Sequence, residues 1–305
     1  MSVSPAPPAT RLAVLIPFAI VTLIWGSTWL VIRGQLGTVP VSWSVCYRFT
    51  IAGVTMLILA LIRRERIALD ARGWRFAALL GLFQFCFNFN FVYNAERFVA
   101  SGLVAVVYAL LLLPNALFGR IFLGHRLGPQ LLIGSAVALG GIALLFLHEA
   151  RVDPHGPVQS LIGIGLALTG TLAASVANVM QGTQTAKRYP MIPMLGVAML
   201  IGAAIDAAAA FVMAGPPVID PHPAYLAGTL YLGLAASAVT FPLYFGVIRA
   251  IGPAKAAYSS VIIPVIAMAL STVFEHYRWS ALAAAGAALA LIGLVIALME
   301  RKPAR

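Results

Sequence analysis

Ten apolar stretches of about 20 residues succeed one another along this chain, and none of them alternates in polarity. As helices, stretches of that length match the hydrocarbon thickness of a bilayer. A backbone N–H or C=O finds no water there, so a spanning segment must be a helix or a strand of a closed barrel. Barrel strands would alternate, so the reading is helices. Composition agrees, because 61% of the 305 residues are hydrophobic and 10% charged, too little polar surface to hold a domain of this size in water. The predicted spans are 12–32, 42–62, 74–95, 101–123, 129–148, 159–182, 191–213, 224–246, 253–274 and 278–299, with the thinnest breaks at Glu96-Arg97 and Gly252-Pro253. The first span has too long an apolar core, and no small-x-small site before Arg33, to be a cleaved signal peptide. Residues 1–11, with the run Ser4-Pro5-Ala6-Pro7-Pro8, read as a disordered tail and 300–305 as a basic one. Cys46 and Cys86 fall inside apolar spans and read as small packing residues.

A formal charge of +11 would point to nucleic acid in a water-soluble protein, but here the cations sort by side of the membrane. Fifteen Lys or Arg lie on the side of Arg63 and Lys187, whereas Arg33, Arg97, Arg151 and Arg278 lie on the other and Arg48 lies within a span. Under the positive-inside rule both termini are cytoplasmic. Trp43, Trp74 and Trp279 fall at span ends, where amphipathic rings settle.

The pattern Gly-x5-Tyr-x5-Pro occurs at Gly102, Tyr108 and Pro114 and again at Gly252, Tyr258 and Pro264. Phe91 and Phe241 keep the same shift of about 150 residues, and the copies fall in the fourth and ninth spans. Duplication of a five-helix unit explains this, and because five is odd the second copy enters the membrane from the opposite face. The expected organisation is two inverted five-helix repeats, 12–148 and 159–299, joined by an external linker at 149–158. Inverted repeats are a recurrent architecture of secondary transporters.

With that organisation in place, several local motifs resemble the drug/metabolite transporter superfamily in its ten-helix EamA-type form. They are Trp25-Gly26-Ser27-Thr28-Trp29, Arg48-Phe49, and Ala100-Ser101-Gly102 leading to Pro114. The turn Leu123-Gly124-His125-Arg126-Leu127 is similar to the family's Leu-Gly-Glu-Arg-Leu with His125 in place of the glutamate. Its second copy, Val273-Phe274-Glu275-His276, keeps the acid and loses the glycine. Among branches it looks most like the exporters of aromatic and other amino acids. That resemblance implies a secondary transporter of the cytoplasmic (inner) membrane, with a small-molecule substrate, lipid as surroundings, no cofactor and no enzymatic activity.

Polar side chains are costly against lipid, so those that share a helix face indicate a cavity or a neighbouring helix. Thr22, Trp25 and Trp29 share a face in the first span. Thr171, Ser175 and Asn178 form the matching stripe in the sixth, Gln84 and Asn88 pair in the third, and Tyr108 and Asn115 in the fourth. With Tyr244 and Tyr258 they make the candidate substrate-binding set. The competing reading is that Ser, Thr and Asn bond across helices and the aromatic rings fill space. Pro114 and Pro264 each remove a helical hydrogen bond and are candidate hinges, or static kinks. Arg48 reads as snorkelling to the interface, with a grip on a substrate carboxylate as the alternative. Asp206, flanked by alanines, is a candidate coupling site or a polar packing contact.

An aromatic, largely neutral pocket suits amino acids of aromatic or broad neutral type, moved outward by alternating access as the two halves rock. The alternative is another small metabolite or an aromatic, drug- or paraquat-like cation, which an aromatic face can also hold. An intramembrane enzyme or a channel fits less well. The five histidines fall in loops or at span ends without metal-ligand spacing, no ring-forming filter segment repeats, and no Gly-x4-Gly-Lys loop is present.

Overall fold

The structure, a computed structural model, describes residues 11–66, 68–124, 128–152, 157–256 and 259–298. Among these there is no strand. The helices are α1 (Arg11–Arg33), α2 (Val41–Ile62), α3 (Ala71–Ala95), α4 (Ser101–Leu123) and α5 (Pro129–Val152). The second half contributes α6 (Pro157–Gln181), α7 (Met191–Ala214), α8 (Pro223–Ile251), α9 (Ser259–Phe274) and α10 (Ala281–Leu298). Eight are long and apolar enough to cross a membrane, and α9 and α10 contain the shorter apolar helices Ile262–Phe274 and Ala281–Ala297. Both thin breaks separate helices. The boundaries differ most at the second, where α8 runs on to Ile251 and α9 starts at Ser259, after a short helix at Pro253–Ala256. Of the predicted tails, residues 1–10 and 299–305 lie outside the described residues, as do His125, Arg126 and Leu127.

The helix ends follow from their residues. Asp70 caps α3, its carboxylate accepting from Gly73 N–H at 2.8 Å, and His222 caps α8 ahead of Pro223. Gly124 closes α4 in the left-handed region at φ 72°. Past the corresponding end of α9 the left-handed residue is His276, φ 54°, two positions beyond Phe274, which stands where the first repeat has Gly124. Outward-facing apolar side chains such as Val212 and Met213, each 84% exposed, are tolerable only with lipid around them.

The duplication reappears in the packing. α2 lies along α7 and α5 along α10. In the second pair Gly134 meets Gly293 and Gly141 meets Gly286 so closely that a Cβ on Gly141 would stand 2.3 Å from the Ala290 nitrogen. An alanine there would force the two backbones apart, a cost of about 1–3 kcal/mol. α1 packs on α8 and α9, and by the same symmetry α6 packs on α3 and α4. Each half thus lends its first helix to the other. The halves are therefore interlocked, through α1 and α6 as well as through α2 with α7, α4 with α9 and α5 with α10. Equivalent helices also share an irregularity, since α3 widens into a π-helix over Gly81–Phe87 and α8 over Leu234–Val239.

The loops after α2 and after α6 meet at one end of the bundle. Arg188 lies 3.3 Å from Asp70, whose carboxylate also accepts from the Tyr189 hydroxyl at 2.5 Å. Arg63 and Lys187 therefore belong to the same end, as the inverted threading requires. At the other end stand Arg33, Glu96 and Glu275.

Candidate functional site

A cavity of about 70 Å³ runs between the six central helices α1, α3, α4, α6, α8 and α9. From α1 it takes Trp25, Thr28, Trp29 and Ile32, and from α3 Gln84, Asn88, Phe89 and Val92. Tyr108 and Leu111 of α4, Ala174 and Asn178 of α6, Phe241 and Tyr244 of α8 and Ile263 of α9 close it, and Arg48 alone reaches it from α2.

Its aromatic wall is fixed by polar handles. A π-helix releases a backbone carbonyl from the usual ladder, and Trp25 uses one in α8: its Nε1–H donates to Ala236 O at 3.1 Å and to Thr240 Oγ1 at 2.9 Å. The indole then packs edge-on to Tyr244 and Phe241, ring centres 4.8 and 5.5 Å away. Trp29 packs on Tyr108 at 5.4 Å, and the Tyr108 hydroxyl donates to Asn88 Oδ1 at 3.2 Å. The Trp29 Nε1–H and Gln84 Oε1 are buried without a hydrogen-bond partner.

Arg48 overturns the snorkelling reading, for it is 1% exposed in the middle of the bundle. Its Nε–H donates to Ser237 Oγ at 3.0 Å, its Nη1–H to the Tyr93 hydroxyl at 3.4 Å, and its guanidinium lies 4.3 Å from the Phe89 ring centre. Among the described residues no carboxylate pairs with it. Tyr93 is anchored in turn, donating to Gln35 Oε1 at 3.1 Å while Gln35 Nε2 donates to Thr229 at 2.7 Å. The arginine is thus a buried cation held by neutral groups in the wall of a cavity.

Of the residues singled out from the sequence, Trp25, Trp29, Gln84, Asn88, Tyr108, Asn178 and Tyr244 come together around this space. Thr22 does not reach it, and its hydroxyl bonds the Phe18 carbonyl of its own helix at 2.7 Å. Thr171 likewise turns back to Ala167 O, at 2.8 Å. Ser175 is fully buried beside the wall, and Asn115 stands behind it, accepting from Asn178 Nδ2 at 3.4 Å. Tyr258 lies outside the described residues. Thr28 and Ile32 continue the Trp25–Trp29 face and were available to the same helical phase that selected the tryptophans. Pro114 lies just past a 3-10 turn at Ala109–Leu111, and Pro264 sits inside α9.

Asp206 stands apart from the cavity. Its Oδ1 accepts from Asn90 Nδ2 at 2.7 Å, Asn90 Oδ1 accepts from Ser42 at 2.7 Å, and the Cys86 thiol stands beside the same carboxylate. Cys86 and Asn90 occupy the face of α3 turned away from Gln84 and Asn88.

The EamA-like transporter family model matches this sequence twice, over residues 12–147 and 161–299. The chain belongs to that family. As an EamA-family protein it is a multi-pass membrane transporter, similar along almost its whole length to other proteins. Protein PagO of Salmonella typhimurium is 24% identical over 97% of this chain and 94% of its own. The uncharacterized inner membrane transporter YedA of Escherichia coli K12 is 28% identical over 92% and 90%. A solved crystal structure with 22% identity superposes at a TM-score of 0.69 over 94% of this chain and 98% of its own, which supports the fold.

Proposed function

We propose that this EamA-family transporter exports amino acids, aromatic or broadly neutral, across the cytoplasmic membrane, with both termini inside. The observation that carries this reading is Arg48. A buried arginine without a carboxylate partner, beside the unbonded Trp29 Nε1–H, offers a forked donor to an incoming carboxylate. The unbonded Gln84 Oε1 offers an acceptor to an ammonium, and the Trp25, Tyr244 and Phe241 rings a surface for an apolar side chain. A cationic drug would face the guanidinium, which is why the amino-acid reading is preferred to the aromatic-cation one.

The cavity has room for about five water molecules, less than an aromatic amino acid occupies, so such a substrate enters only when the wall moves. Alternating access would then rock the two interlocked halves around this site, with Pro114 and Pro264 as the sites of bending in α4 and α9.

A thermal-shift screen of the purified protein against the amino acids and a few aromatic cations tests this, since a ligand of the native state raises the melting temperature. Neutral amino acids should raise it, and Arg48→Gln should abolish the rise. Stabilisation by cations alone would sink the proposal. Trp25→Ala and Asn178→Ala should impair transport in proteoliposomes with normal amounts of inserted protein.

A further inference from the structure

At the Arg33 end of the cavity, Glu96 is fully buried and neither carboxyl oxygen has a hydrogen-bond partner. Gln84, Asn88, Val92 and Glu96 recur every four residues along α3, so Glu96 continues the cavity-lining face one turn past Val92. The charges that bear on it are Glu275, at the end of α9, and Arg33, at the end of α1. Glu275 is well supplied with donors: its Oε2 accepts from Ser101 Oγ at 2.8 Å, from Ser101 N–H at 3.3 Å and from the Ser271 hydroxyl. Arg33 Nε approaches its Oε1 at 3.8 Å, and that oxygen has no hydrogen bond. Arg97 is turned to the exposed side, bonded to Asn94, and α6 carries no titratable residue.

Burying Glu96 beside a second carboxylate, with one half-exposed arginine between them and the solvent, strongly disfavours charge on both acids at once. We propose that Glu96 and Glu275 form a proton-binding site that closes the Arg33 end of the cavity, with one proton carried on Glu96. Closing the corner joins α1, α4 and α9 beside Glu96 and requires an O–H bond to form on its carboxyl, the proton coming from hydronium of the solution at that mouth and leaving water behind. Opening the opposite end hydrates the corner from the cavity side and lets that proton go, along Val92 into the cavity and out on the other face of the membrane. Each closure at this end therefore binds a proton, which couples the transport cycle to the proton gradient. The inference rests on the transporter reading but not on the identity of the substrate.

The test uses the full chain reconstituted in lipid, as wild type, Glu96→Gln and Glu96→Asp. The infrared difference between wild type and Glu96→Gln at neutral pH should show a carboxylic-acid C=O band, and Glu96→Asp should retain a shifted one. An ionised-carboxylate band in its place would overturn the proposal. With tryptophan as the transport probe, Glu96→Gln should lose about tenfold or more of proton-driven accumulation while tryptophan exchange stays within about twofold of wild type. Proton-driven accumulation unchanged in Glu96→Gln would also overturn it. If wild type moves no tryptophan, the amino-acid reading fails, and the infrared measurement still decides the proton site.

Discussion

At one end of the cavity Arg33, Glu96 and Glu275 meet; at the other, Arg249 donates from Nε and Nη2 to Gln181 Oε1 at 3.2 and 3.1 Å. The duplication relates these sets, since Gln181 ends α6 as Arg33 ends α1 and Arg249 lies about 150 residues after Glu96. Glu275 has His125 as its counterpart in sequence. The same joint has thus been built twice with opposite chemistry. One version depends on carboxyl groups whose charge water access and pH can change; among the described residues the other joins a guanidinium to a neutral amide. A symmetric scaffold with unlike ends can respond to its surroundings at one mouth and hold steady at the other.

Removing Glu275 should have the largest effect on stability. Glu275→Ala strands the Ser101 N–H and hydroxyl and the Ser271 hydroxyl in a corner with little water, and leaves Arg33 unpaired. Buried donors left unmade cost about 1–3 kcal/mol each before relaxation, so a total near 3 kcal/mol is expected. The melting temperature of the purified protein measures it. A variant that melts like wild type would mean that the serines find water and that this end is not a structural joint.

How much of this was legible in the sequence depended on whether a residue's surroundings are local. Span number, the breaks at Glu96 and Gly252 and the repeat were readable, because each follows from hydropathy and spacing within one stretch of chain. The Trp25–Trp29 face was readable from helical phase. Glu96 was read only as a break, since an acid in a short turn ordinarily meets water; here Gly163 of α6 packs on Phe98 and Val99 of the turn, and α6 arrives from elsewhere in the chain. Arg48 was misplaced for a similar reason. Its distance from the end of α2 suggested the interface, but the bond to Ser237 comes from the π-helix of α8, which leaves no signature in sequence. The exchange of α1 and α6 between halves was equally invisible.

At the Gln181 end the expected loss is smaller and insensitive to pH. Arg249→Met keeps the apolar stem and gives up two N–H···O contacts to one neutral oxygen, about 1 kcal/mol in all. Melting curves of this variant and wild type should stay parallel as pH varies. A gap that opens or closes with pH near neutrality would show that this end also carries a proton-dependent contact, and the contrast between the two mouths would be lost.

The smallest effect is expected in the loops beyond that same end, where Asp70 ties the start of α3 to Arg188 and Tyr189. The hydrogen bond from the Tyr189 hydroxyl, then that from Gly73 N–H, holds the Asp70 carboxyl below its ordinary range, with Arg188 adding to the effect. A carboxyl whose value is lowered on folding adds stability at pH above its unfolded value and loses it as pH falls through the folded one. Wild type should therefore melt slightly above Asp70→Asn at neutral pH, and the gap should close only below about pH 4, where an unfolded aspartate takes up its proton. Because this contact is exposed, salt should narrow the gap as well. A gap that closes between pH 6 and 7 would mean that these loops, and not the Glu96 corner, set the response to pH in the range where the transporter works.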